Sequence, residues 1–150
     1  MRVVWGNALV KQEQFEAAIA QYAAALQADP NDLDARLGLS RAQQRTGKLA
    51  EAAKQLELLT QVVPDSAVVW AEWGSVLAKQ GDLAAALAKF DRALAIDPKF
   101  EAAYVRRIPV RWSTRSAART RARRLQALRD LEPDDAAMDA GVAAMGRCKK

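Results

Sequence analysis

A proline returns every 34 residues in the first two-thirds of this chain: Pro30, Pro64 and Pro98. The stretches before them, WGNALVKQEQFEAAIAQYAAALQADP at 5–30, LSRAQQRTGKLAEAAKQLELLTQVVP at 39–64 and WGSVLAKQGDLAAALAKFDRALAIDP at 73–98, align without a gap. A fixed period of this length means one supersecondary unit repeated, each copy too small to bury its apolar face alone. Few other features of a sequence restrict the fold so sharply.

The alignment columns say what the unit is. Ala18, Ala52 and Ala86 share one column and Gly6, Ser40 and Gly74 another; small side chains at fixed places let two antiparallel helices approach closely. Bulk recurs at helical spacing in Leu9, Gln43 and Leu77, in Phe15, Leu49 and Leu83, and in Tyr22, Leu56 and Phe90, the inward faces of such helices. Gly47 and Gly81 mark the turn inside a unit. Each proline cannot continue a helix, so it ends the second helix and opens the link to the next unit. The unit reads as a helical hairpin.

These residues resemble the tetratricopeptide repeat family. Its Trp–Leu–Gly–Tyr, Ala, Phe, Ala, Pro pattern is met in the third unit by Trp70, Trp73, Gly74, Leu77, Ala86, Phe90, Ala93 and Pro98. The first unit keeps Trp5, Gly6, Leu9, Ala18, Tyr22, Ala25 and Pro30, and the second, looser, has Leu39, Ser40, Gln43, Ala52, Leu56, Leu59 and Pro64. The resemblance implies an all-α fold, a right-handed superhelical solenoid of stacked antiparallel hairpins. Its units are expected over about 1–32, 33–66 and 67–100, with a degenerate fourth over 101–134 and a C-terminal helix over about 135–147. Trp5, Trp70 and Trp73 fall in the family's packing columns and are expected in the core. The first helix is expected to start at the edge of a repeat with no polar cap before it, as in a trimmed chain, a mis-set start or a piece of a longer array.

Charge singles out the fourth unit. Residues 1–100 hold 11 Lys and Arg against 12 Asp and Glu, whereas residues 101–132 hold 9 against 3. The basic excess lies in RRIPVRWSTRSAARTRARR at 106–124, which has eight arginines and a proline. Pro109 predicts a short or kinked first helix, since proline in a helix interior costs about 3 kcal/mol. Pro133 and LQALRDLEPDD predict a second helix over roughly 115–131. The stretch admits three readings: a degenerate second helix that points Ala118, Ala122, Leu125 and Leu128 inward and its arginines to solvent, a reading-frame shift in a GC-rich gene, or a basic surface for RNA, DNA or anionic lipid. On the last reading Arg106, Arg107, Arg111, Arg115, Arg119 and Arg123 form that surface. Trp112 is the one aromatic among them, whereas readers that stack on bases present several. In the tail, Met138, Val142 and Met145 recur at helical spacing, and Cys148 stands beside Arg147, Lys149 and Lys150.

Function is bounded by what is missing. The sequence has no His and a single Cys, which argues against a metal site, a cofactor held by such ligands, or Cys/His nucleophilic catalysis. No glycine-rich phosphate loop or inward carboxylate pair appears, so the expectation is no enzyme, unless the chain docks substrates for a larger one. No apolar run nears the roughly 20 residues of a membrane helix, and no secretory h-region opens the chain. A soluble, bacterial, cytoplasmic protein is favoured over a periplasmic one. The family's first helices line a concave groove; column by column the resemblance places Asn7, Lys11, Leu37, Arg41, Gln44, Arg45, Val68, Ala71, Ser75 and Lys79 there. Lys11, Arg45 and Lys79 share a column and predict a basic ladder, although as last-turn cations they also favour the helix dipole by about 0.3–1 kcal/mol. The expected partner is a protein or peptide with acidic residues or a free carboxylate, its apolar side chains settling on Leu37, Val68 and Ala71. Asn7 matches an asparagine with which some family members clamp the C-terminal carboxylate of heat-shock chaperones. The other clamp columns hold Val3, Gly38, Val68 and Glu72, which rejects a clamp of that type.

Overall fold

A computed structural model describes residues 1–131, and its elements are helices: α1 (Arg2–Lys11), α2 (Phe15–Ala28), α3 (Leu33–Arg45), α4 (Leu49–Val62), α5 (Ala67–Gln80), α6 (Leu83–Ile96) and α7 (Glu101–Leu131). The C-terminal helix expected over 135–147 lies outside the described residues. By contacts the chain divides into Met1–Thr114 and Arg115–Lys150. In the first unit each of α1 to α5 packs on the next, and α1, α3 and α5 lie side by side.

One turn geometry is used three times. After α1, α3 and α5 the chain enters the left-handed region at Glu13 (φ 59°), Gly47 (φ 80°) and Gly81 (φ 88°), one alignment column. The next residue's N–H then reaches back to the helix, Gln14 to the Leu9 carbonyl (2.9 Å), Lys48 to Gln43 (2.8 Å) and Asp82 to Leu77 (3.0 Å). These bonds satisfy carbonyls that a helix end leaves without partners. Glycine enters this region freely, whereas a side chain there costs about 1–2 kcal/mol. Glu13→Gly should therefore raise stability by about 1 kcal/mol, read from the midpoint of a denaturant titration. Between units, the Asp29 and Asp97 carboxylates accept the N–H of Asn31 and Lys99 (both 3.0 Å), and Asp32 caps α3 through the Ala35 N–H at 3.0 Å.

The core lies chiefly where one hairpin meets the next. Ala18 and Tyr22 of α2 pack with Leu39 and Ala42 of α3; Ala52, Leu56 and Leu59 of α4 pack with Val69 and Val76 of α5. The third cluster joins Ala67 and Ala71 of α5, Ala86, Phe90 and Ala93 of α6, and Ala103 and Val110 of α7. Trp73 packs against the α4–α5 cluster. Trp70 and Trp73 stack at 5.7 Å between centroids, with the Lys89 ammonium 3.8 Å from the Trp73 centroid. Trp5 departs from the expectation of burial and is 58 % exposed. Its column mates Leu39 and Trp73, by contrast, lie against the second helix of the preceding hairpin.

The fourth unit also departs from expectation. In place of a short or kinked helix followed by a second one over 115–131, α7 runs from Glu101 to Leu131 through Pro109. Val105, whose carbonyl loses its partner at Pro109, is exposed, as is Pro109, so water can replace the missing bond. A hairpin also needs a turn and a close approach, and the fourth unit lacks both. Arg115 stands in the column of Gly47 and Gly81, and Ile108 in that of Gly6, Ser40 and Gly74. Within Arg115–Leu131, Leu125, Leu128 and Leu131 are exposed, whereas Leu125 and Leu128 were expected to point inward.

Candidate functional site

The last turns of α1, α3 and α5 come side by side and carry Lys11, Arg45 and Lys79. With the residues around them they enclose an open cavity of about 530 Å³, lined by Val10, Lys11, Glu13, Phe15, Arg41, Gln44, Arg45, Glu72, Lys79 and Arg106. Five cations and two acids make the lining net positive by three. The Arg45 guanidinium lies 5.1 Å from the centroid of Phe15, an aromatic face that holds a cation without neutralising it.

Glu72 of α5 is the deepest charge in the wall, its side chain 8 % exposed. One carboxylate oxygen, Oε1, accepts from Arg41 Nε (3.3 Å) and pairs with Arg41 Nη2 and Arg106 Nη1, each at 3.2 Å. The other, Oε2, takes a long bond of 3.4 Å from the Gln44 amide. A carboxylate this far from water persists only with such partners, since desolvation costs several kcal/mol per ion. Arg106 also donates to Ser75 Oγ at 3.3 Å. Among the described residues, Lys11, Arg45 and Lys79 form no ion pair.

The cavity gathers five of the ten groove residues named from the sequence: Lys11, Arg41, Gln44, Arg45 and Lys79. The other five stand elsewhere. Asn7 turns to the core, where its Oδ1 accepts the Tyr22 hydroxyl at 2.5 Å. Burial pushes the Tyr22 phenol up from its usual pKa, partly opposed by Arg41, so it remains a donor at neutral pH. Leu37 packs against the α4–α5 cluster and Val68 is half-buried. Ala71 is fully buried beneath α6 and α7, so no ligand side chain can settle on it. Ser75 bonds the Ala71 carbonyl at 3.0 Å.

The six arginines assigned to one basic surface stand in different surroundings. Arg106 faces the cavity, Arg107 pairs with Asp91 at 2.7 Å, and Arg111, Arg115, Arg119 and Arg123 are exposed on α7. Sequence reasoning missed Phe15 and Glu13 as lining residues, Arg106 as a member of this site, and Glu72 as an acid that arginines would surround. Arg106 was within reach of the alignment, because it lies 34 residues after Glu72 and so shares its column.

Two models of the tetratricopeptide repeat match the chain, over residues 9–71 and 67–100. The chain belongs to the tetratricopeptide repeat family. Protein FlbA of Caulobacter vibrioides is 32 % identical over 77 residues, 51 % of this chain and 13 % of FlbA; the chain spans only that small part of its relative. Solved tetratricopeptide structures resemble it over most of its length. YrrB, described as having an unusual peptide-binding site, is 28 % identical with a TM-score of 0.67, covering 69 % of this chain and 53 % of that one. The Sgt2 domain of Aspergillus fumigatus is 21 % identical with a TM-score of 0.75, covering 79 % and 80 %. The first such domain of Spaghetti, solved with an HSP90 peptide, is 20 % identical with a TM-score of 0.71, covering 75 % and 90 %. At such identity the last two show the fold alone. None of the helices among the described residues is long and apolar enough to cross a membrane.

Proposed function

We propose that this tetratricopeptide chain is a protein-interaction scaffold, with no catalytic role of its own, and that its α1–α3–α5 cavity receives an acidic peptide segment of a partner protein. The observation that carries the reading is the column Lys11, Arg45 and Lys79, three cations without an ion-pair partner among the described residues, around one cavity. Carboxylates of the ligand meet these three, while its apolar side chains rest on Val10 and Phe15. Helix-dipole compensation accounts for a cation at each helix end, but the dipole does not require the three ends to share a cavity. The peptide-binding site of YrrB, which is 28 % identical, supports the class of ligand.

The test is fluorescence polarisation with an end-labelled hexapeptide alternating leucine and glutamate, carboxylate free, against its leucine–lysine counterpart. The acidic peptide should bind and the basic one should not, with affinity falling as salt screens the exposed cations. Arg45→Glu reverses one lining charge and should weaken the acidic peptide by about tenfold at low ionic strength. Equal affinity for both peptides would sink the reading. A second reading rests on the exposed arginines Arg115, Arg119 and Arg123, one face of α7 at i, i+4 spacing. Single-stranded RNA bound there would show a steep salt dependence lost on neutralising those three and indifferent to Arg45→Glu.

A further inference from the structure

Glu72 is an odd residue at the depth of a lining that holds five cations and one other acid, Glu13. Its column holds Val4, Gly38 and Arg106 in the other units, so the packing of this repeat does not call for an acid there. Yet the carboxylate is nearly buried and draws donors from two other helices, Arg41 and Gln44 of α3 and Arg106 of α7. Both arginines remain substantially open to water, with 50 % and 40 % of their side chains exposed, and both line the cavity. They are therefore placed to meet an incoming anion while their charge is already partly spent on Glu72.

Resting on the scaffold reading above, we infer that Glu72 is the groove's own counter-anion and a specificity residue for the acidic ligand. It occupies the position that a ligand carboxylate between Arg41 and Arg106 would otherwise take. Acidic groups of the ligand are thereby directed to Lys11, Arg45 and Lys79. The groove keeps moderate affinity for acidic segments rather than binding every polyanion. Removing this one negative charge leaves the guanidinium groups of Arg41 and Arg106 free to take a second carboxylate.

The experiment compares the whole chain with Glu72→Gln and Glu72→Asp, using the same leucine–glutamate and leucine–lysine hexapeptides at low salt, with a thermal melt of each variant. Glu72→Gln should tighten the acidic peptide by about tenfold, the effect of one unit charge a few ångströms from the ligand in a surface cavity. It should give no gain for the basic peptide, and Glu72→Asp, which keeps the charge, should bind as the parent does. Unchanged or weaker binding of the acidic peptide by a folded Glu72→Gln protein overturns the inference while leaving the scaffold reading in place. Equal tightening by Glu72→Asp overturns it too, because loosened packing would then be the cause. If neither the parent nor Glu72→Gln binds the acidic peptide, the scaffold reading fails and takes the inference with it. Should Glu72→Gln not fold, Glu72→Met supplies the same comparison with a side chain of similar length and no charge.

Discussion

Phe90→Ala should cost the protein about 3–5 kcal/mol, the range for removing a fully buried aromatic ring. Phe90 is 0 % exposed and stands in the cluster whose buried members come from α5, α6 and α7. Its ring lies against the backbone of α5 at Gly74, where an added Cβ would sit 2.9 Å from Phe90 Cε1. Rigid helix backbone on one side and alanines on the other leave little that could collapse into the void. In a solenoid each unit is stabilised mainly by its neighbours, so the loss should be local. Hydrogen exchange should show α6 and the first turns of α7 opening well before α2 and α3, and a denaturant titration should show the loss in free energy. A cost below about 1 kcal/mol would mean that the site repacks and that this cluster is not what ties α7 to the third hairpin.

Gly38→Ala should destabilise the protein by about 1–3 kcal/mol, against the usual sense of such a change. In an exposed helix interior, alanine gains about 1 kcal/mol over glycine. Here the new Cβ would lie 2.6 Å from both Cε1 and Cζ of Tyr22. The ring has little room to retreat, because Gly6 also lies against it, a Cβ there being only 2.7 Å from Cε1, and Tyr22 is 1 % exposed with its hydroxyl tied to Asn7. Combining Gly38→Ala with Tyr22→Leu tests the cause. The smaller side chain should absorb the new methyl, so the double variant should lose less than the two single losses added together. Additive losses would place the damage elsewhere than at the ring.

Much of this fold is legible in the sequence because a repeat states its rules several times. The 34-residue period, the three hairpins and the buried column of Tyr22, Leu56 and Phe90 follow from spacing alone. So does the sharing of a column by Lys11, Arg45 and Lys79, which translation by one repeat brings to equivalent helix ends. The site is less legible. Phe15 was assigned to the hairpin's inner face, yet it also lines the cavity, because Arg45 of the next hairpin lies over its ring. Ala71 has the period of a groove residue, but α6 and α7 cover it. Arg106 was grouped with the arginines that follow it in sequence, whereas Glu72, 34 residues earlier, draws it into the cavity.

The division has a physical basis. Periodicity, turn residues and prolines act within a few residues or one repeat, so the sequence alone determined that this chain forms stacked helical hairpins and where each of the first three begins and ends. What faces a given side chain from the neighbouring unit depends on how closely the helices approach. Tertiary structure alone decided that Trp5 is exposed, that Glu72 is held between Arg41 and Arg106, and that α7 continues past Pro109. The last two outcomes turn on a partner at long range or on its absence: two guanidinium groups around one carboxylate, and a second helix that Ile108 and Arg115 do not let the chain form.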